Sequence, residues 1–185
     1  TATSLEAVRE YAAAMEALSN GRHADALKSF SNAVDVDPNF GLAYAGMAVA
    51  SRNLQQQQNA EKYINLALQR IDRMTDREKY RTRGYSYSLR GNAQKCVEEY
   101  STLVSLYPSD VAAHNNLARC HGMLRNIPKA LEQARLAAAI LPKRSLYRFN
   151  VSMYASYGSD FQTGEREAQA LQQMDPNTRN GFTAL

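Results

Sequence analysis

The sequence has no tryptophan and only two cysteines, and it is poor in valine and isoleucine. The two cysteines, Cys96 and Cys120, are too few for a disulfide framework, and their spacing forms no zinc motif. No apolar run approaches the ~20 residues that a membrane-spanning helix needs. The sequence also lacks a P-loop, a dinucleotide-binding glycine motif and a zinc-protease motif. These absences argue against a disulfide scaffold, a membrane span and the common nucleotide- or metal-dependent enzymes.

Abundant alanine is the main positive feature of the composition, and it favours helices because alanine has the highest helix propensity. The net charge is +4, and the basic residues are scattered except for a run of arginines between Arg70 and Arg90. A nucleic-acid-binding protein usually concentrates such charge in one patch. We therefore expect an all-α protein, consider nucleic-acid binding a poor match, and keep a helical-repeat RNA-binding module as an alternative function.

Prolines recur with a period of 34 residues, at Pro108, Pro142 and Pro176, and Pro38 precedes Pro108 by two such steps plus two residues. A fixed period of this length predicts a helical solenoid. In this register the chain forms a single domain, 1–178, of five helical hairpins, followed by residues 179–185 as a tail or the start of an incomplete sixth repeat. The predicted hairpins are 7–40, 41–74, 77–110, 111–144 and 145–178.

Local signals predict several helix ends. Thr3 with Glu6, and Thr75 with Glu78, have the form of capping boxes, in which the hydroxyl and carboxylate side chains each accept a bond from a backbone N–H.

Glycines give two further predictions. Gly21 suits the left-handed backbone conformation of the residue that ends a helix. The next helix is predicted over 23–36. Gly164 stands where the other repeats have alanine or cysteine, which predicts a last helix that starts late or frays.

The repeats resemble the tetratricopeptide repeat, a helix-turn-helix unit of 34 residues. Small residues fill place 8 of each repeat: Ala14, Ala48, Gly84, Ala118 and Ser152. They also fill place 20: Ala26, Ala60, Cys96, Ala130 and Gly164. The resemblance implies a right-handed superhelical solenoid of antiparallel helix hairpins. It also implies a non-catalytic, cofactor-free scaffold that binds a peptide or helix of a partner protein in a concave groove.

The resemblance also assigns the groove to the first helix of each repeat. Asparagine amides can bond a peptide backbone in both directions, and arginine can bind a carboxylate with two parallel bonds. We therefore expect a protein or peptide partner with an acidic residue or a C-terminal carboxylate. The implied groove residues are Tyr11, Met15, Arg52, Asn53, Arg81, Tyr85, Asn115, Asn116, Arg119, Phe149, Asn150, Met153 and Tyr157.

Histidines are the first candidates for a catalytic or metal site. His114 and His121 lie seven residues apart with Cys120 beside them, but no further ligand has suitable spacing on a neighbouring element. Both occupy packing places of the repeat, so we predict a core or interface role for them, with no catalytic and no metal-binding residues.

A looser likeness links segments such as Tyr107–Ala113 to the repeat regions of bacterial serine/threonine kinases and signalling proteins. Because the sequence begins with Thr1 rather than Met, we expect a piece of a longer protein. The expected location is cytoplasmic, or periplasmic if the parent places a membrane span before it. Self-association through the unfinished last repeat is a further alternative.

Overall fold

The computed structural model of the protein describes residues 4–174, which form ten α-helices, a short 3₁₀ turn at Ile71–Arg73 and no β-strand. The contacts divide the chain into two compact units, Thr1–Arg90 and Gly91–Leu185. The all-α prediction is confirmed, while the single domain of five repeats stays a prediction, and residues 179–185 lie outside the described part. The helices are α1 (Leu5–Ser19), α2 (His23–Val36), α3 (Gly41–Asn53), α4 (Gln57–Leu68), α5 (Asp76–Leu89), α6 (Ala93–Leu106), α7 (Val111–Met123), α8 (Ile127–Ile140), α9 (Ser145–Tyr157) and α10 (Phe161–Met174).

Successive helices pack side by side within each unit. In the first unit, α1 packs on α2, α2 on α3 and α3 on α4, with α5 against α4. In the second unit, each helix from α6 to α10 packs on the next. Within residues 4–174, no helix combines the length and the apolar character needed to cross a membrane.

Left-handed residues mark the turns between paired helices. Among the described residues, positive φ angles occur at Gly21, Gln55, Gly91, Arg125 and Ser159. The steps between them are 34 residues, except for 36 between Gln55 and Gly91, where the sequence predicted two extra residues. At Gly21 the turn closes with backbone bonds from Gly21 to Leu18 and from Arg22 to Ala17, the Schellman pattern. The prediction that Gly21 ends the first helix is therefore confirmed.

The turns give a pair of substitutions with opposite expected effects. Gly21→Ala should lower the free energy of unfolding by about 1 kcal/mol, because the left-handed conformation disfavours a Cβ atom. An added Cβ would meet no atom within 4 Å, so the cost is conformational rather than steric. Arg125→Gly should raise the free energy of unfolding by up to about 1 kcal/mol for the same reason. Urea denaturation measures both, and Arg125→Ala, which keeps the Cβ atom, should show no such gain.

Of the two predicted capping boxes, one is present and the other is shifted by one residue. The Thr75 capping box is present, since Thr75 Oγ1 accepts from the Glu78 backbone N–H and the Glu78 carboxylate accepts from the Thr75 N–H. The first cap is shifted by one residue, because the hydroxyl of Ser4, not Thr3, accepts from the Ala7 N–H and α1 begins at Leu5.

Small residues allow the paired helices to approach closely. Every residue at places 8 and 20 of the five predicted repeats is buried. Gly164 is one of them, and α10 begins at Phe161, so the prediction of a late or frayed start is wrong. The buried Ser152 hydroxyl donates to the Gly164 carbonyl over 2.8 Å. A Cβ at Gly164 would lie 2.5 Å from Ser156 Oγ, so glycine here permits contact between α9 and α10.

Cys96 on α6 and Cys120 on α7 form a disulfide within the second unit. Their Cα atoms are 5.8 Å apart and both side chains are fully buried. This single bond was not predicted, because two cysteines are too few for a disulfide framework. Two cysteines suffice here because the repeat register brings place 20 of one hairpin against place 10 of the next.

Candidate functional site

Among the groove candidates of the first unit, Tyr11 packs against two aromatic rings. Its ring lies 5.6 Å from the Phe30 ring and 5.0 Å from the Phe40 ring, between centroids. Burial raises the pKa of the Tyr11 hydroxyl, the Arg81 charge on α5 lowers it, and Glu78 raises it. Arg81 on α5 thus acts electrostatically on Tyr11, while Met15, one turn beyond Tyr11, is exposed.

Three other candidates of the first unit have different surroundings. Arg52 donates to the Gln57 side chain over 3.1 Å, and the Asn53 amide lies 3.5 Å from His23 Nδ1. These contacts direct both side chains toward the starts of the second helices, α4 and α2. Tyr85 is only 8% exposed and packs in a cluster with Ala48 and Ile64. Tyr85 is therefore a core residue rather than an open aromatic platform.

In the second unit, a hydrogen bond joins two groove candidates on neighbouring first helices. The Asn150 side-chain amide on α9 donates to the Asn115 Oδ1 atom on α7 over 2.6 Å. Both side chains are half-buried. Arg119 follows Asn115 by four residues and therefore lies on the same side of α7. The structure thus brings two predicted amides together beside a predicted arginine.

Tyr157 extends this surface along α9, and the buried Tyr154 lies beneath it. Burial raises the pKa of the Tyr154 hydroxyl, the nearby Arg119 charge lowers it, and Tyr157 raises it. The two rings meet edge to face at 6.5 Å, and Tyr157 is 66% exposed. We call the surface formed by Asn115, Arg119, Asn150 and Tyr157 the α7–α9 face, and Tyr154 lies in the core of the second unit beneath it.

Tyr154 supports the α7–α9 face from the core, a contact that sequence reasoning did not predict. Its ring approaches α7 at Gly122, where a Cβ would lie 3.0 Å from the ring. A glycine in the last turn of α7 was the available signal. The remaining candidates, Asn116, Phe149 and Met153, are half-buried, and Met153 also packs against the core of the second unit.

The histidines have packing roles, as predicted. His114 and His121 are both buried. His114 bonds at both ring nitrogens, to the Gln133 Oε1 atom over 2.8 Å and to the Pro108 carbonyl over 2.9 Å. Both ring nitrogens of His114 therefore have hydrogen-bond partners within the protein, which suits a packing role. Burial lowers the pKa of His121, and the Lys129 charge lowers it further.

The residues that could bind a metal are dispersed. Within residues 4–174, no group of three histidine, cysteine, aspartate or glutamate side chains is placed to hold a metal ion. The polar chemistry of the α7–α9 face consists of amides, a guanidinium group and phenols, which suit hydrogen bonding to a peptide.

Comparison with solved structures supports the repeat architecture. TTC0263, a thermophilic TPR protein of Thermus thermophilus, is 13% identical with a TM-score of 0.75, over 96% of this chain and 95% of that chain. YrrB, a TPR protein with an unusual peptide-binding site, is 16% identical with a TM-score of 0.58, over 96% and 91%. The TPR2AB domain of yeast Sti1, in its pHSP90 complex, is 13% identical with a TM-score of 0.53, over 96% and 94%.

No curated protein matches this sequence significantly. The family model of the tetratricopeptide repeat matches residues 11–73 and 82–145, which together are more than half of the sequence. The match agrees with the paired helices, the buried small residues at places 8 and 20, and the turns at 34-residue steps. The chain therefore belongs to the tetratricopeptide repeat family.

Proposed function

We propose that this chain is a protein-interaction scaffold that binds an extended peptide segment on the α7–α9 face. The tetratricopeptide repeat is generally a non-catalytic interaction repeat, and two proteins of similar fold, YrrB and Sti1, are peptide-binding. The observation that carries the proposal is the bond of 2.6 Å between the Asn150 and Asn115 side chains, which holds two amides together on adjacent helices. That the parent is a bacterial signalling protein stays a prediction from sequence.

The amide pair suits a peptide backbone. Its internal bond uses one donor of Asn150 and one acceptor of Asn115. Asn115 retains amide donors, and Asn150 retains an acceptor. The pair can therefore accept from a peptide N–H and donate to a peptide carbonyl. A bound strand or loop needs both because each residue carries one of each group.

Arg119 and Tyr157 set the expected chemistry of the side chains that are bound. The Arg119 guanidinium lies one helical turn from Asn115, where it would meet a carboxylate of a segment held by the amides. Tyr157 offers an exposed ring, and aromatic residues beside arginine are enriched at interaction hot spots. The preferred ligand is an extended segment with an acidic side chain or a free C-terminal carboxylate.

The proposal predicts a loss of binding in two variants. Arg119→Ala and Asn150→Ala should each weaken binding of an acidic peptide, Arg119→Ala by about 1.5–3 kcal/mol because the lost bond is charged. Asn150→Ala should cost about 0.5–1.5 kcal/mol because its bonds are neutral. Binding is measured by fluorescence anisotropy with labelled peptides that end in a free carboxylate, selected from a random peptide library.

Matched controls separate this face from general effects. Lys129→Ala removes an exposed positive charge elsewhere in the second unit, and Asn59→Ala removes an exposed amide in the first. Both should bind the selected peptide normally. Amidation of the peptide C-terminus should weaken binding as much as Arg119→Ala does. If Arg119→Ala and Asn150→Ala bind the peptide normally while remaining folded, the ligand uses another surface.

The RNA alternative has weaker support. The guanidinium of Arg70 donates to the backbone carbonyls of Pro38 and Leu66, and its charge lies 4.5 Å from the Tyr44 ring centroid. Arg90 donates to the side chains of Ser86 and Asn65. Arginines that bond to the protein have fewer donors for phosphates, so the charged stretch supports packing better than RNA binding.

A further inference from the structure

We propose that a cavity in the second unit binds a phosphate monoester group, independently of the α7–α9 face. The cavity has a volume of about 320 Å³ and opens between α8, α9 and α10. Three arginines line it, one from each helix: Arg135, Arg148 and Arg166. Glu167 is the one carboxylate in the lining, and the buried Val151 side chain contributes an apolar wall.

Among the three arginines, Arg148 has its side chain held in place by two hydrogen bonds within the protein. Its Nε atom donates to the Pro142 carbonyl over 3.0 Å, and its Nη1 atom donates to Glu167 Oε2 over 2.8 Å. Glu167 Oε1 lies 3.7 Å from Arg166 Nε, so one carboxylate lies between two guanidinium groups. These contacts hold Arg148 in place before any ligand binds, which lowers the entropy cost of binding.

Arg135 and Arg166 are the members available to a ligand. Their side chains are 52% and 67% exposed at the cavity. Arg135 contacts Asp160 over 3.3 Å, outside the lining residues. A guanidinium carries five N–H donors, so one carboxylate partner leaves most of them for a second anion.

The charge balance favours a phosphate over a carboxylate ligand. Three cationic side chains face one carboxylate in the lining, and Asp160 contacts Arg135, so the group keeps a net positive charge that a phosphate, with nearly two negative charges, compensates more strongly than a carboxylate does. A phosphate monoester also presents three acceptor oxygens, which match several guanidinium forks at once. The group can belong to a phosphorylated side chain or to a small molecule, and the chemistry of recognition is the same.

The experiment titrates inorganic phosphate into the full chain and follows the arginine side-chain NMR signals. Arg135→Ala and Arg166→Ala should each weaken phosphate binding by about tenfold, which corresponds to the loss of one charged hydrogen bond. Asp160→Asn should tighten binding because it removes the carboxylate beside Arg135 and leaves an equally good helix cap. Glu167→Gln should also tighten it, since the ligand no longer competes with a carboxylate.

Two controls make the result specific. Lys129→Ala removes a positive charge at the other end of α8, and Asn150→Ala alters the α7–α9 face. Both should leave phosphate binding unchanged. A phosphoserine peptide that binds more tightly than inorganic phosphate identifies a phosphorylated protein as the source, whereas binding of inorganic phosphate alone identifies a small molecule. The proposal is wrong if phosphate does not bind, or if Lys129→Ala weakens phosphate binding as much as Arg166→Ala does.

Discussion

Replacing Phe30 by alanine should lower the free energy of unfolding by about 3–5 kcal/mol, the range for deleting a buried phenylalanine side chain. Phe30 is fully buried on α2, the helix that packs against both α1 and α3. Its ring contacts Tyr11 of α1 and lies directly against the backbone of Gly46 on α3. The substitution therefore opens a cavity between three helices of the first unit.

A second substitution, Gly46→Ala, tests the same contact. Its effect on the free energy of unfolding should change sign when Phe30 is replaced by alanine, which a general loss of stability would not produce. A Cβ at Gly46 would overlap the Phe30 ring, so Gly46→Ala in the natural sequence should destabilise the protein by about 1–3 kcal/mol. In the Phe30→Ala background the ring is absent and the methyl group enters the cavity. There, Gly46→Ala should stabilise by up to about 1 kcal/mol, because alanine is the better helix former.

Urea denaturation of the natural protein, the two single variants and the double variant measures this coupling. Tyr154 provides a matched case in the second unit, where a Cβ at Gly122 meets its ring at a milder 3.0 Å. Gly122→Ala should therefore cost less than Gly46→Ala. Equal effects of Gly46→Ala with and without Phe30 would show that the ring and the glycine do not contact each other.

Much of the fold could be predicted because the same local rules recur along the sequence at a fixed period. The second helix was predicted over 23–36 and is observed at His23–Val36. The two residues inserted before the third repeat account for the single 36-residue step between left-handed turns. Gly164 was misjudged because helix propensity predicts a weak helix start. The close approach of Ser152 and Ser156 on α9 requires a residue without a side chain.

The candidate site was predictable only in part, because a place within a repeat gives the side of a helix but not the depth of burial. Asn115 and Asn150 were both assigned to the groove, and their bond is observed. Tyr85 was assigned to the same side, yet it packs against Ala48 and Ile64 of the preceding hairpin. Whether a large side chain at such a place is buried depends on the residues of the neighbouring helix, which one repeat does not specify.

Reduction of the Cys96–Cys120 disulfide should lower the free energy of unfolding by about 3.5 kcal/mol, the entropy effect expected for a closed loop of this length. The two residues are 24 apart in sequence, and their Cα separation of 5.8 Å is typical of disulfides. They occupy place 20 of one repeat and place 10 of the next. Ala26 and Ala50 hold the same two places in the first unit, and both are fully buried in its core. Any two cysteines at these places are therefore brought together by the register itself.

The test compares urea denaturation with and without the reductant TCEP, for the natural protein and for the Cys96→Ala/Cys120→Ala variant. Only the natural protein should lose stability on reduction, because the variant has no bond to break. Iodoacetamide applied to the unfolded, unreduced protein should leave both cysteines unmodified, as measured by intact mass. Alkylation of both cysteines there, together with no effect of TCEP on stability, would show that they pack as thiols. The stability of α6 against α7 would then rest on burial of apolar surface alone, as it does for Ala26 and Ala50.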